Sequence, residues 1–204
     1  MKLYDSIGPN PRVVRMALAE KGLVPDVVKI DLMGAENRQA GYIAKVPSGG
    51  LPALELDDGT VIAEITVIAE YLEDIQPAPA IIGTNAAERA ETRMWVRRID
   101  LAIVEPMANG FRASEGRSLF AKRMTLVSPD AAGELKAMAQ EKLLWLDTLM
   151  RGRTWVCGDR FTLADMLLLA FVEFGATVGQ PVPSSATWLP EWLKRAAARP
   201  SATA

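Results

Sequence analysis

The sequence predicts a small α/β domain followed by an all-helical one, and three observations carry that prediction. Residues 1–75 alternate short β-branched runs with amphipathic stretches, Pro77, Pro79 and Gly83 then break the pattern, and beyond them apolar residues recur only at helical spacing. At 204 residues the chain exceeds one average domain and falls short of two, and the Pro77-to-Gly83 break, read as a linker, sets the expected domains at 1–76 and 85–204. Half of the residues are hydrophobic and 24% are charged, so the chain can build a core and is not a disordered one.

Each element has a local reason. Lys2 to Asp5 reads as a first strand, and Gly8-Pro9-Asn10-Pro11 as the turn into a helix with Asn10 at the N-cap and Pro11 at the first helical position. Lys21-Gly22 stops that helix. Asp26 to Leu32 holds a second strand, and Glu36 to Ala44 a short helix ahead of the Pro47-Ser48-Gly49-Gly50 loop. Residues 53–56 and 60–62, joined by Asp57-Asp58-Gly59, form a hairpin. Ile65, Ile68, Ala69 and Leu72 then share one helix face. The order is β-α-β-α-β-β-α.

After the break, Trp95, Ile99, Ala102, Ile103, Pro106 and Gly110 line a long helix that Pro106 should kink. A second, opened by Ser128-Pro129-Asp130, carries Leu135, Ala139, Leu143, Leu146 and Met150. Thr162 and Asp165 form a capping box for the apolar helix Met166 to Val172, and Trp188, Leu189, Trp192, Leu193 and Ala196 form a last amphipathic helix.

Composition removes whole classes of chemistry. There is no histidine, so imidazole bases, Ser-His-Asp triads and His-ligated zinc are unavailable, and no metal is expected. The single cysteine, Cys157, offers neither a disulfide nor a C-x-x-C pair and reads as core. A net charge of -2 lacks the cation surplus that nucleic-acid binding requires. The longest apolar run, Met166 to Val172, is far short of the ~20 residues of a membrane span, and the N-terminus has no signal-peptide core, so a reducing cytoplasm is expected.

Four motifs, in order and correctly spaced, resemble the cytosolic glutathione transferase family: Leu3-Tyr4, a turn, then Arg12 through Gly22; Pro47-x-Gly49-x-Leu51-Pro52-Ala53-Leu54; Ala63-Glu64-Ile65-Thr66 through Leu72; and Gly158-Asp159-x-Phe161-Thr162-Leu163-Ala164-Asp165. Met94-Trp95-x-Arg97-Arg98 and Pro106 to Arg112 are similar to a bacterial and fungal branch lacking the usual catalytic Tyr, Ser or Cys. The resemblance implies a thioredoxin-like first domain, an all-α second domain and a homodimer. It further implies that glutathione is the co-substrate and that a small electrophile, apolar in character, is conjugated, as in detoxification.

The resemblance also assigns residues. A cis Leu51-Pro52 bond would present the Leu51 N–H and C=O to the cysteinyl part of glutathione as an added strand. Glu64 would meet the γ-glutamyl amine, and the N–H groups of Ile65 and Thr66 its carboxylate. Ile65 stands where the family usually has Ser, which implies weaker binding. Asn10 is the first candidate to stabilise the thiolate and Ser6 the second. Tyr4 falls too early in the turn for that task and reads as site wall or core. Ser114 matches an assisting Ser of the branch without its His, and Met107 and Phe111 are candidate walls for the electrophile, or core. Two other readings share the fold: a glutathione-dependent disulfide reductase or peroxidase, and a non-catalytic glutathione- or protein-binding module.

Overall fold

A computed structural model describes all 204 residues. They form two compact units, Met1–Arg89 together with Arg199–Ala204, and Ala90–Ala198.

The first unit is built on a four-stranded mixed sheet in the order β2-β1-β3-β4, with β1 Lys2–Asp5, β2 Asp26–Lys29, β3 Ala53–Glu55 and β4 Val61–Ala63. β1 runs parallel to β2 and antiparallel to β3, and β4 is antiparallel to β3. Register follows burial: Leu3 lies opposite Val27 and Leu54, and Leu3 and Leu54 are both buried. α1 (Pro9–Lys21) and α3 (Ile65–Ile75) pack together and bury Val13, Val14, Ile68 and Leu72. A separate apolar cluster joins Tyr4, Ile30, Tyr42, Val46 and Ala53. The expected helix over Glu36 to Ala44 is instead a 3₁₀ turn, Glu36–Arg38, followed by the single-turn α2, Ala40–Ile43. Gln39 between them is extended, with φ -76 and ψ 152, which no continuous helix allows.

Behind α3, the stretch carrying Pro77 and Pro79 is pinned from within. Lys21 and Glu73, both buried, form an ion pair, and Glu73 also accepts the N–H groups of Ile81, Ile82 and Gly83 at 3.0, 2.9 and 3.0 Å. Residues 199–204 complete the unit along α1. Arg199 forms two bonds to the Glu20 carboxylate at 2.9 and 2.8 Å, the Ser201 hydroxyl donates to the same group, and Arg12 donates to the Ala202 carbonyl at 3.0 Å.

The division between the units falls within α4 (Ala86–Ile99). The long helix expected over Trp95 to Gly110 is α4 and α5 (Glu105–Ala113) joined by a π-helical stretch, Asp100–Val104. The wider winding immediately precedes Pro106, which has no N–H to continue the α ladder. α6 (Arg117–Phe120), α7 (Pro129–Met150), α8 (Leu163–Thr177) and α9 (Trp188–Ala197) follow. Ser128 caps α7 by accepting the Ala131 N–H, and the Thr162–Asp165 box opens α8, the most buried helix of this unit. Asp147 of α7 takes the N–H groups of Thr187, Trp188 and Leu189 at the start of α9. Cys157 is a buried free thiol, as read, and burial pushes its pKa up. No helix is long and apolar enough to cross a membrane.

Candidate functional site

Three segments of the first unit carry the residues singled out in sequence: the β1–α1 turn, the loop ahead of β3, and the turn from β4 into α3.

α1 starts two residues earlier than its sequence suggests. Gly8, with φ 115 and ψ 169, is the N-cap, Pro9 is the first helical residue, and the Asn10 side chain makes no cap bond. Only glycine adopts that backbone without strain, so Gly8 sets the start and Asn10 lies inside the first turn. Pro9 and Pro11 have no N–H, which leaves the Asn10 N–H as the single backbone donor among the first three helical residues.

The other candidates near this turn are already engaged. The Ser6 hydroxyl donates to the Ile30 carbonyl at 2.7 Å and is buried. Tyr4 lies in the apolar cluster, its ring edge-on to Tyr42, and its hydroxyl donates to Glu55 at 2.5 Å. Hydrogen bonds from Lys45, Tyr4 and Lys2 hold the Glu55 pKa down to about 2. Tyr4 is therefore a core residue whose polar tip is spent on the sheet.

The Leu51-Pro52 peptide bond is cis, as expected. No hydrogen bond within the chain uses the N–H or C=O of Leu51. The residues just before it are tied by donors that the sequence reading did not single out. Arg38 donates to the Ser48 carbonyl at 3.2 Å, Asn37 to Gly49 at 2.7 Å and Tyr42 to Gly50 at 2.7 Å. A tyrosine and an asparagine five residues apart, ahead of a Ser-Gly-Gly run, were the available signal.

Glu64 is exposed and adopts φ 71 and ψ 124, a conformation uncommon for a residue with a side chain. No side chain caps α3, so the N–H groups of Ile65 and Thr66 at its start have no acceptor in the chain. A cavity of about 520 Å³ beside Ser6 is lined by Ile7, Arg15, Lys29, Leu32 and Met33. Both cations are paired to the buried Asp5.

The remaining candidates belong to the second unit. Met107 has no exposed surface, lies against Gly175, and accepts a bond from Gln180 through its carbonyl. In this structure its side chain packs inside the second unit. Phe111 is half-buried in an aromatic cluster with Phe120 and Phe174, at ring separations of 6.0 and 5.1 Å. The Ser114 hydroxyl lies 2.5 Å from the Gly110 carbonyl and 2.6 Å from Glu115, which Lys136 and then Ser114 hold at a pKa of about 2. No three His, Cys, Asp or Glu residues come together as a metal-binding group.

The first-unit geometry thus offers one free backbone donor at a helix start, one unpaired N–H and C=O at a strand edge, and an uncapped helix N-terminus beside a carboxylate. Comparison with known proteins supplies the family. The model of the glutathione S-transferase N-terminal domain matches residues 7–75, and that of the C-terminal domain matches residues 120–200. Glutathione S-transferase 2 of Saccharomyces cerevisiae is 35% identical over 206 residues, covering 98% of this chain and 87% of the relative. The chain belongs to the glutathione S-transferase family. The crystal structure of Gtt2 from Saccharomyces cerevisiae superimposes with a TM-score of 0.93 at 34% identity, covering 100% of this chain and 99% of that one. A glutathione S-transferase domain-containing protein of Marinobacter aquaeolei VT8 gives 0.92 at 36%, with 98% and 99% covered. This glutathione S-transferase has the thioredoxin-like first domain and all-helical second domain of its family, and glutathione is its co-substrate.

Proposed function

We propose that this transferase binds glutathione along Leu51, Pro52, Glu64, Ile65 and Thr66 and ionises the thiol at the start of α1, with the Asn10 N–H as donor. The thiolate then attacks a small apolar electrophile in a detoxifying conjugation. The observation that carries this reading is a set of unused backbone groups whose polarity complements glutathione. Leu51 keeps both its N–H and C=O for the cysteinyl unit, and the first N–H groups of α3 lie beside Glu64, where an amino acid terminus carries opposite charges. Lowering a thiol pKa by about two units takes ~2.7 kcal/mol. A helix N-terminus gives about 0.3 to 2 kcal/mol and one hydrogen bond to a charged group about 1.5 to 3, and their sum of about 1.8 to 5 spans the requirement without a histidine. Ser6 and Ser114 take no part in this scheme, because their hydroxyl protons are already used.

Ile7, Leu32 and Met33, around the cavity beside Ser6, supply apolar surface for the electrophile. Met94, Leu101, Met138, Trp145 and Leu149, all at least 38% exposed on the second unit, supply a face for a homodimer. A free buried thiol fits the reducing cytoplasm.

The test is an ultraviolet titration of the thiolate of bound glutathione in the wild type, Asn10→Ala and Asn10→Pro. The alanine variant keeps the N–H and is expected to keep the lowered pKa. Proline removes the N–H within a first turn that already accepts two prolines, and should raise the bound thiol pKa by about one to two units. A full shift surviving in Asn10→Pro with glutathione still bound would refute the assignment.

A further inference from the structure

The loop ahead of β3 contains two adjacent glycines next to the residue that meets the ligand. Glycine has the largest backbone freedom of any residue, so an unrestrained Ser48-Gly49-Gly50 run would have to be ordered each time a ligand paired with Leu51. The structure shows the opposite arrangement. Gly49, at φ 63, donates to the Val46 carbonyl at 2.8 Å, and Gly50 donates to the Ser48 hydroxyl at 3.1 Å. Three consecutive carbonyls, those of Ser48, Gly49 and Gly50, each accept a side-chain donor from the segment 37–42. The restraint stops at Leu51, whose two polar groups are unused.

Two of the three donors are built in. Asn37 is 4% exposed and gives its Nδ2 to Gly49, while its Oδ1 has no partner. The one bond its amide makes is therefore the N–H given to Gly49. Gly49 lies so close that a Cβ there would come within 2.9 Å of the Asn37 carbonyl. Tyr42 is 6% exposed, with its ring fixed edge-on to Tyr4 at 5.8 Å. Burial, with Tyr4 beside it, pushes the Tyr42 pKa up, so its hydroxyl remains a proton donor to Gly50 throughout the ordinary pH range.

We infer that Asn37 and Tyr42 are positioning residues for glutathione: by holding the Gly49 and Gly50 carbonyls they fix the Leu51 peptide in the orientation that pairs with the cysteinyl unit. Both act through the backbone. The inference rests on the reading that Leu51 pairs with glutathione, and the experiment separates the two.

Calorimetric affinities are measured for glutathione and for its depsipeptide analogue, in which an ester oxygen replaces the cysteinyl N–H that would donate to the Leu51 carbonyl. Wild type, Tyr42→Phe and Asn37→Ser are compared, with the bound thiol pKa as a further readout. The wild type is expected to bind the ester about tenfold more weakly, the worth of one hydrogen bond. Tyr42→Phe, which keeps the ring, is expected to bind glutathione about fivefold more weakly and to lose most of that discrimination, while the bound thiol pKa stays where it was. Asn37→Ser should do the same. A merely structural role would lower the melting temperature and leave the discrimination intact. Wild-type discrimination retained in full by both variants, at unchanged affinity, overturns the positioning role. Absence of discrimination in the wild type overturns the Leu51 reading itself.

Discussion

Replacing Glu73 by Gln should destabilise the first unit more than any surface change can, and more than removing its partner Lys21. Glu73 and Lys21 are 2% and 4% exposed, so neither charge has water to fall back on. After Glu73→Gln the buried Lys21 ammonium keeps the Pro79 carbonyl, at 2.6 Å, and a neutral amide in place of its counter-charge, and a buried ion deprived of its charged partner costs about 3–5 kcal/mol. After Lys21→Met the carboxylate still accepts three backbone N–H groups, so the loss is one hydrogen bond to a charged group, about 1.5–3 kcal/mol. Glu73→Leu strands those three N–H groups as well, at about 1–3 kcal/mol each, enough to consume a domain stability of about 5–15 kcal/mol. Urea unfolding at one protein concentration measures the order: Lys21→Met least, Glu73→Gln next, Glu73→Leu most. Burial alone would raise the Glu73 pKa, but the bonds from Lys21 and from the N–H groups of Gly83, Ile81 and Ile82 outweigh it and hold it below 4.5. The stability it contributes is therefore present above pH 4.5 and lost as pH falls through the lowered value, so the gap between wild type and Glu73→Gln should narrow in acid. A larger loss in Lys21→Met than in Glu73→Gln would refute the reasoning.

Other expectations concern the site and the second unit. Ile65→Ser adds a hydroxyl at the uncapped start of α3 and should tighten glutathione binding by about 1.5–3 kcal/mol, read as a tenfold or greater fall in Kd; unchanged affinity would place the γ-glutamyl carboxylate elsewhere. Tyr4→Phe frees Glu55 of one donor but should leave kcat within about twofold, since one core hydrogen bond is worth only about 1 kcal/mol and none of it is directed at the thiol; a hundredfold fall would make Tyr4 the thiol activator. Burial pushes Asp165 up to about 6 from 3.8 against the hydrogen bonds it accepts, so wild-type stability should fall as pH rises from about 4 through 6, by about 3 kcal/mol at 1.36 per unit. In Asp165→Asn that slope should vanish, and a persisting slope in urea midpoints would assign it to another group.

What was legible in the sequence was chemistry that acts over a few residues. Ser128 and the Thr162–Asp165 box start their helices where they should, and Asp57-Asp58-Gly59 turns the hairpin, because each works on backbone groups within three residues. Asn10 misled for the same reason. It is a good cap by type, but the positive φ available to Gly8 decided the helix start, and a sequence does not display φ. Met107 shows another limit: helical spacing identifies an apolar face without telling a packed face from one lining a cavity. Partners far apart in sequence gave no signal at all, as with Lys21 and Glu73, or Asp147 and the start of α9.

The strap formed by residues 199–204 has a bearing on how the protein is made. A ribosome releases the α1 segment early, yet the Glu20 carboxylate receives Arg199 and Ser201 only after the entire second unit has been translated. Until then α1 carries an unmatched acid and an uncovered flank. The nascent chain therefore spends most of the synthesis of these residues with its first unit unfinished, and loss of residues 199–204 would be felt at Glu20 of α1, 179 positions before Arg199 in sequence.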